Sequence, residues 1–285
     1  LRSNLCHYID DEDPQVSREM KEPTAMSKRV LIYVPAYNAA SQIEKTLNRI
    51  PDSIRAAASE ILVVNNASTD ETEKVVSAIQ ARGGIPNLKL ITNTRNLGYG
   101  GSQKVAYQRA IDENYDVVAM VHADGQYAPE ILPKMLEPVI RGDTDLLFGS
   151  RIKGNPLKGG MPVIRYLGNR VLTTFQNIFL GLSISEYHSG YRIYSVNAFR
   201  KLPFQNLSSD YHFDTEILIC FQAYGLRIKE IAIPTHYGDE PNFVNIWKYG
   251  LDVLITTMSY FLHRIGLRRS RNWTRIFDGR NPWEV

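Results

Sequence analysis

The sequence predicts an α/β fold, a mainly parallel central sheet covered by helices on both faces. Three observations carry that expectation. Short β-branched runs alternate with helix-length amphipathic segments between residues 29 and 149. Polar clusters rich in Asn, Gly and Asp follow the apolar runs directly, as they do at the carboxyl ends of parallel strands. The 285 residues, 44% hydrophobic and 22% charged, are enough to bury a full core.

The elements follow in order. Residues 29–34 form a β-branched and aromatic run ending at Pro35. Ser41 and Glu44 have capping-box spacing, and Ile43, Leu47 and Ile50 share one helical face. Residues 61–65 read as the second strand, and Asp70 with Glu73 as a second capping box before Val75, Val76 and Ile79. A third strand over 88–92 precedes a helix over 101–112. A fourth strand over 116–121 is followed by a helix over 129–140, opened by proline, and a fifth strand over 145–149. This βαβ rhythm implies a sheet covered on both sides.

Composition excludes several classes. A net charge of +3 is too small for a general polyanion binder, so no nucleic-acid partner is expected. Cys6 and Cys220 form no ligand-like spacing, which removes zinc knuckles and disulfide frameworks and favours a reducing, cytoplasmic compartment. No apolar run approaches the ~18 residues of a spanning helix. Gly-x-Gly-x-x-Gly after the first strand, Gly-x-x-x-x-Gly-Lys-Ser/Thr and Gly-x-Ser-x-Gly are all missing. Nicotinamide binding, P-loop phosphoryl transfer and nucleophile-elbow hydrolysis are set aside accordingly.

The chain opens on Leu1, which reads as a processed or excised piece, and residues 1–28 as a mobile lead-in. Residues 29–240 are expected to be the catalytic domain, and 241–285 an amphipathic helix with a basic tail. That last segment is apolar over 243–265, interrupted by Lys248 and Asp252. Arg264, Arg268, Arg269, Arg271, Arg275 and Arg280 then face only Asp278 and Glu284. An interfacial membrane contact through 243–280 is the favoured reading; a core-packing helix or a contact with a second copy is the alternative.

At the mouth of the fourth strand, His122-x-Asp124-x-Gln126 sets three donors at alternate positions, which point to one side of an extended chain. A divalent ion could be held there; the imidazole favours Mn²⁺ or a later metal. The alternative is ordinary turn chemistry at Asp124-Gly125.

Several segments then carry a resemblance. Val34-Pro35-Ala36-Tyr37-Asn38, Val64-Asn65-Asn66-Ala67-Ser68-Thr69-Asp70, His122-Ala123-Asp124-Gly125-Gln126, Gly149-Ser150-Arg151 and Ser189-Gly190-Tyr191-Arg192 occur in that order. Together they resemble the inverting family-2 glycosyltransferases of GT-A fold, in particular the polyprenyl- and dolichyl-phosphate mannose and glucose synthases. The resemblance spans roughly residues 29–234. It implies a nucleotide pocket from Pro35, Ala36, Tyr37, Asn66, Asn96, Ala123 and Asp124, and a Mn²⁺ or Mg²⁺ site from His122, Asp124 and Gln126. Arg151 and Arg165 correspond to arginines that hold an acceptor phosphate in that family.

Departures from the pattern matter too. Asn66 replaces an aspartate that recognises the base, and His122 replaces a metal aspartate, so metal affinity should fall as the imidazole protonates. The family's final Arg-x-x-Gly-x-Ser-Lys gives way to Tyr237-Gly238-Asp239-Glu240-Pro241.

The implied reaction is inversion at the anomeric carbon, with the metal offsetting charge on the departing diphosphate. The leading expectation is transfer from a nucleotide-sugar, UDP-linked first and GDP-linked second, to a polyprenyl phosphate at the cytoplasmic face of a membrane. A hydroxyl acceptor would instead need a base, for which Asp214 leads over Asp210 and Glu216. A third reading, prompted by Asn66 and His122, is a catalytically weak nucleotide-sugar-binding module.

Overall fold

The structure is a computed structural model that describes residues 28–234 and 245–277. Residues 1–27 of the lead-in, the segment Tyr237 to Pro241, Phe243 and the last residues of the tail lie outside the described residues.

Seven strands form one sheet: β1 (Val30–Ala36), β2 (Glu60–Asn65), β3 (Leu88–Thr92), β4 (Val117–Met120), β5 (Leu146–Ser150), β6 (Arg192–Ser195) and β7 (Ile228–Ala232). Their order is β3-β2-β1-β4-β6-β5-β7. All neighbouring pairs are parallel except those of β6, which runs antiparallel to both β4 and β5. The first five strands fall where the sequence places them; β6 and β7 come in addition.

The helices are α1 (Ile43–Arg49), α2 (Asp52–Ala57), α3 (Thr72–Arg82), α4 (Tyr99–Asp112), α5 (Leu132–Ile140), α6 (Val163–Leu180), α7 (Val196–Phe199), α8 (Phe213–Ala223), α9 (Ile246–Arg264) and α10 (Arg271–Ile276). Neither capping box forms. No side chain caps α1, and Asp70 instead accepts the backbone N–H groups of Thr72 and Ala40 at 3.0 Å, tying β1's exit to α3. Local hydrogen bonding to a turn outcompetes the box.

Alternation along β1 sends Leu31 and Tyr33 to one face, Val30, Ile32 and Val34 to the other. The first face is covered by α4 and α8 with Tyr260, Trp273, Ile276 and Phe277 from α9, α10 and the residue after it. The C-terminal helices therefore share the main core, and α9 is a packed helix as well as an amphipathic one. On the second face α1, α3 and α5 seal the sheet. Chain order reverses between β1 and β4, so their carboxyl ends frame the crevice where such sheets bind ligands.

Candidate active site

The crevice is walled by the loops after β1, β2 and β4. Asn38 accepts the backbone N–H of Thr69 at 2.8 Å, and its own N–H donates to Ser68 Oγ at 2.9 Å, so the first two loops are laced together. Ala36 and Ala123 are buried, Pro35 is half-buried and Tyr37 is exposed, which places the tyrosine at the rim of the crevice and not in the core. Ala67 holds φ +58°, a left-handed conformation costly to an L-residue, in the middle of the second loop.

Asn66 is fully engaged. Its Nδ2 donates to Asn96 Oδ1 at 2.9 Å and to the Gly98 carbonyl at 3.2 Å. Its Oδ1 accepts from Asn93 Nδ2 at 3.0 Å and the Leu97 N–H at 2.9 Å. With both donors and both acceptor sites committed, the carboxamide braces the 93–98 loop and has no lone pair left for a base. Asn96 is exposed beside it.

The loop after β4 is anchored from below. Thr46 Oγ1 donates to the Ala123 carbonyl at 2.9 Å, and Arg49, paired with Glu130, donates to the Gly125 carbonyl at 2.9 Å. Asp124 Oδ1 accepts the Gln126 N–H at 3.0 Å; its second oxygen has no hydrogen-bond partner among the described residues. His122 Nε2 is buried and unpartnered, lying against Gly190 between the rings of Tyr99 and Tyr127. An orphaned buried nitrogen and, two residues on, a half-exposed carboxylate are donor types that a divalent cation takes. Asp124, with Gln126 two residues on, is the anionic donor such a site needs.

The loop Ser189–Arg192 closes over His122. Gly190 N–H donates to Tyr127 Oη at 3.0 Å, and Tyr191 Oη to the Ala128 carbonyl at 3.2 Å. Arg192 is buried; it donates to the carbonyls of Ser189, Tyr187 and Asp214 at 2.9 Å and stands 3.7 Å from the Asp214 carboxylate. Asp214 also accepts from Tyr99 Oη at 3.1 Å and Gln103 Nε2 at 3.3 Å. Burial, then the charge of Asp214, push the Tyr99 phenol well above its ordinary range.

Arg151 is likewise occupied. Its backbone N–H and Nε each donate to the Glu186 carboxylate at 2.7 Å, Nη2 joins them, and Nη2 also reaches the His188 carbonyl at 2.9 Å. Burial alone would raise the Glu186 carboxyl; Arg151 more than offsets it and holds it below the usual range. Arg151 thereby organises the 186–188 loop. Arg165 is half-buried in the first turn of α6. His188 Nδ1 meets Tyr249 Oη at 2.7 Å, which ties the loop to α9; its Nε2 is buried and unpartnered, and burial holds the imidazole down to about 4.

Tyr99, Gln103, Glu186 and His188 escape sequence reasoning, because their bonds to Asp214, Arg151 and Tyr249 span 35–115 residues and no local periodicity marks them. The cluster Gly98-Tyr99-Gly100-Gly101 and the polar run before Gly190 were the only available signals.

A mostly parallel sheet, a strand-end crevice at its switch point and an Asp-x-Gln turn at the fourth strand make up an α/β fold of GT-A type. Residues 31–203 match Glycosyl transferase family 2, and the chain belongs to that family. Among curated proteins it is 32% identical over 210 residues to the low-salt glycan biosynthesis hexosyltransferase Agl6 of Haloferax volcanii. That match covers 72% of this chain and 48% of Agl6, so the chain spans about half of that relative. It is 30% identical to the undecaprenyl-phosphate mannosyltransferase of Micrococcus luteus, over 72% of this chain and 82% of that one. Among solved structures, glucosyl-3-phosphoglycerate synthase of Mycobacterium tuberculosis with Mn²⁺, UDP and phosphoglyceric acid shares the fold. There the TM-score is 0.59 at 19% identity, covering 86% of this chain and 81% of the other.

Proposed function

We propose that this chain is a metal-dependent inverting hexosyltransferase. It takes a sugar from a nucleoside diphosphate, UDP first and GDP second, and transfers it to a polyprenyl-phosphate-type lipid at a membrane surface. The observation that carries the acceptor class is the state of Asp214. A hydroxyl acceptor needs a reachable base, and Asp214 is buried and engaged by Arg192, Tyr99 and Gln103. Asp210 is exposed and paired with Lys248 at 3.1 Å, while Glu216 accepts the Ser208 N–H at 2.6 Å. A phosphate acceptor is already an anion and needs no base, which the undecaprenyl-phosphate relative supports.

In this reading Pro35, Ala36 and Tyr37 line the nucleotide side of the crevice, and Asn66 shapes it by holding Asn96 and Leu97. Asp124, Gln126 and His122 hold a Mn²⁺ or Mg²⁺ ion, whose Lewis acidity would offset charge on the departing diphosphate. Arg165, at the start of α6, meets the acceptor phosphate, with the Arg151–Glu186 pair fixing the adjoining loop. Buried Tyr127, Tyr191 and Gly190 exclude water from one side of the reaction centre.

The test uses labelled UDP- and GDP-sugars, Mn²⁺ and a polyprenyl phosphate, with label followed into the organic phase. Sugar recovered in lipid from one donor class supports the reading. Efficient transfer to sugar or protein hydroxyls with none to lipid would overturn it.

A further inference from the structure

The C-terminal third carries a surface that the reaction does not use. Helices α6 and α9 run side by side in the same direction, with Gly250 over Leu172 and the rings of Phe179 and Phe261 5.0 Å apart. Beside them lies a groove of about 800 Å³. Its floor is Phe175, Leu254, Ile255, Met258 and Leu262; its rim is Arg268, Arg269 and Arg271, all exposed. No carboxylate lies within ion-pair distance of these three arginines among the described residues. Met258 lies nine residues beyond Tyr249, roughly 13 Å along the helix from the His188 contact.

Ile255 also belongs to an apolar stripe on the solvent side. Trp247, Leu251 and Ile255 recur at every fourth residue of α9, and Trp247 is 87% exposed. On α6, Ile164, Leu167, Val171 and Ile178 make the parallel stripe, all of them exposed. Two adjacent apolar stripes that end in an arginine rim have the composition of an interfacial element. An apolar slot opening onto guanidinium groups that no carboxylate among the described residues pairs with matches one chemistry: an acyl chain carrying a phosphate headgroup.

We propose that this groove seats an anionic phospholipid of the bilayer, apart from the acceptor site, and so fixes how the enzyme stands on the membrane. The proposal rests on the reading that the enzyme works at a membrane surface, and it adds a discrete lipid seat to that contact. The acyl chain lies along Phe175, Leu254 and Met258, the phosphate meets Arg268, Arg269 and Arg271, and Trp247 enters the interface beside it.

The test is flotation with phosphatidylcholine vesicles, with and without phosphatidylglycerol, read alongside Trp247 emission. Wild type is expected to float with the phosphatidylglycerol vesicles and shift its emission to the blue. Arg268→Gln/Arg269→Gln/Arg271→Gln should lower partitioning roughly a hundredfold, about fivefold per charge. Ile255→Asn/Met258→Asn should weaken binding several-fold at unchanged charge. Equal binding to both vesicle types, or a rim variant that binds like wild type, would overturn the proposal. A floor variant that binds like wild type would overturn it too, leaving only diffuse attraction. Donor-induced thermal stabilisation, measured on every variant, shows that each is folded. Its absence from wild type would count against the transferase reading while leaving the flotation result to judge the lipid seat.

Discussion

Gly190→Ala gives the sharpest test of the site's packing. A Cβ at residue 190 would stand 2.3 Å from His122 Nε2, 2.8 Å from its Cε1 and 3.0 Å from Tyr99 Oη. Ordinary contact begins near 3.4 Å, so the imidazole must retreat by at least about 1 Å. It has little room, with the rings of Tyr99 and Tyr127 centred 6.1 and 5.2 Å away. Overpacking of this kind costs about 1–3 kcal/mol, and a 1 Å displacement of a group at the reacting centre costs about 100-fold in rate. Scanning calorimetry should show Tm lowered by roughly 2–5 °C, and steady-state assays a fall in kcat with the donor KM little changed. Adding His122→Ala empties the space and should restore Tm without restoring kcat. A Gly190→Ala enzyme with normal Tm and normal kcat would refute the reasoning. A double variant that recovers both would remove His122 from the reaction.

Two other outcomes follow from buried charge. Arg151→Ala leaves the fully buried Glu186 carboxylate without its guanidinium, and should destabilise by about 3–5 kcal/mol in urea unfolding. Arg151→Ala/Glu186→Gln should recover most of that loss; unchanged stability in the single variant would mean that Arg151 serves only a ligand. For His188, the folded value near 4 lies below the ordinary 6.5, so the unfolded chain binds the proton first. Its contribution is complete above pH 6.5 and fades as pH falls toward 4, by at most about 3 kcal/mol. His188→Asn should flatten the stability profile in that window, and an unchanged acid slope would place the titrating group elsewhere.

The N-terminal half was legible because each of its signals is local. Residues 29–149 keep one strand–helix rhythm, and β1, β2 and β4 read as continuous apolar runs since both of their faces are covered. The clusters at their ends carry the crevice, and no long-range contact is needed to find them. From residue 150 onward the pattern fails for physical reasons. β6 has only four residues and pairs antiparallel, outside the βαβ rhythm, and β7 is an edge strand whose IKEIA run is interrupted by Lys229 and Glu230. In α6, Ile164, Leu167 and Val171 point to solvent while Asn169, Thr173 and Gln176 are buried, so hydrophobicity marks the wrong face as the core.

That inversion is itself informative about how the site is built. Asn169 faces inward because its Nδ2 donates to Glu186 at 2.8 Å, the same carboxylate that clamps Arg151. Thr173 Oγ1 donates to Asn169 Oδ1 at 3.1 Å, which fixes the carboxamide from behind. The polar face of α6 thus supports the 186–188 loop, and a helix in that position has only its apolar face left for the outside. Water is a poor solvent for such a face, whereas a bilayer interface accepts it. Support for the Arg151–Glu186 pair and exposure of the apolar stripe are therefore two consequences of one helix rotation. An Asn169→Leu variant, which removes the inward hydrogen bond, should lower transfer to lipid phosphate even with vesicle binding intact. Loss of vesicle binding alone would show that the two faces are not coupled in this way.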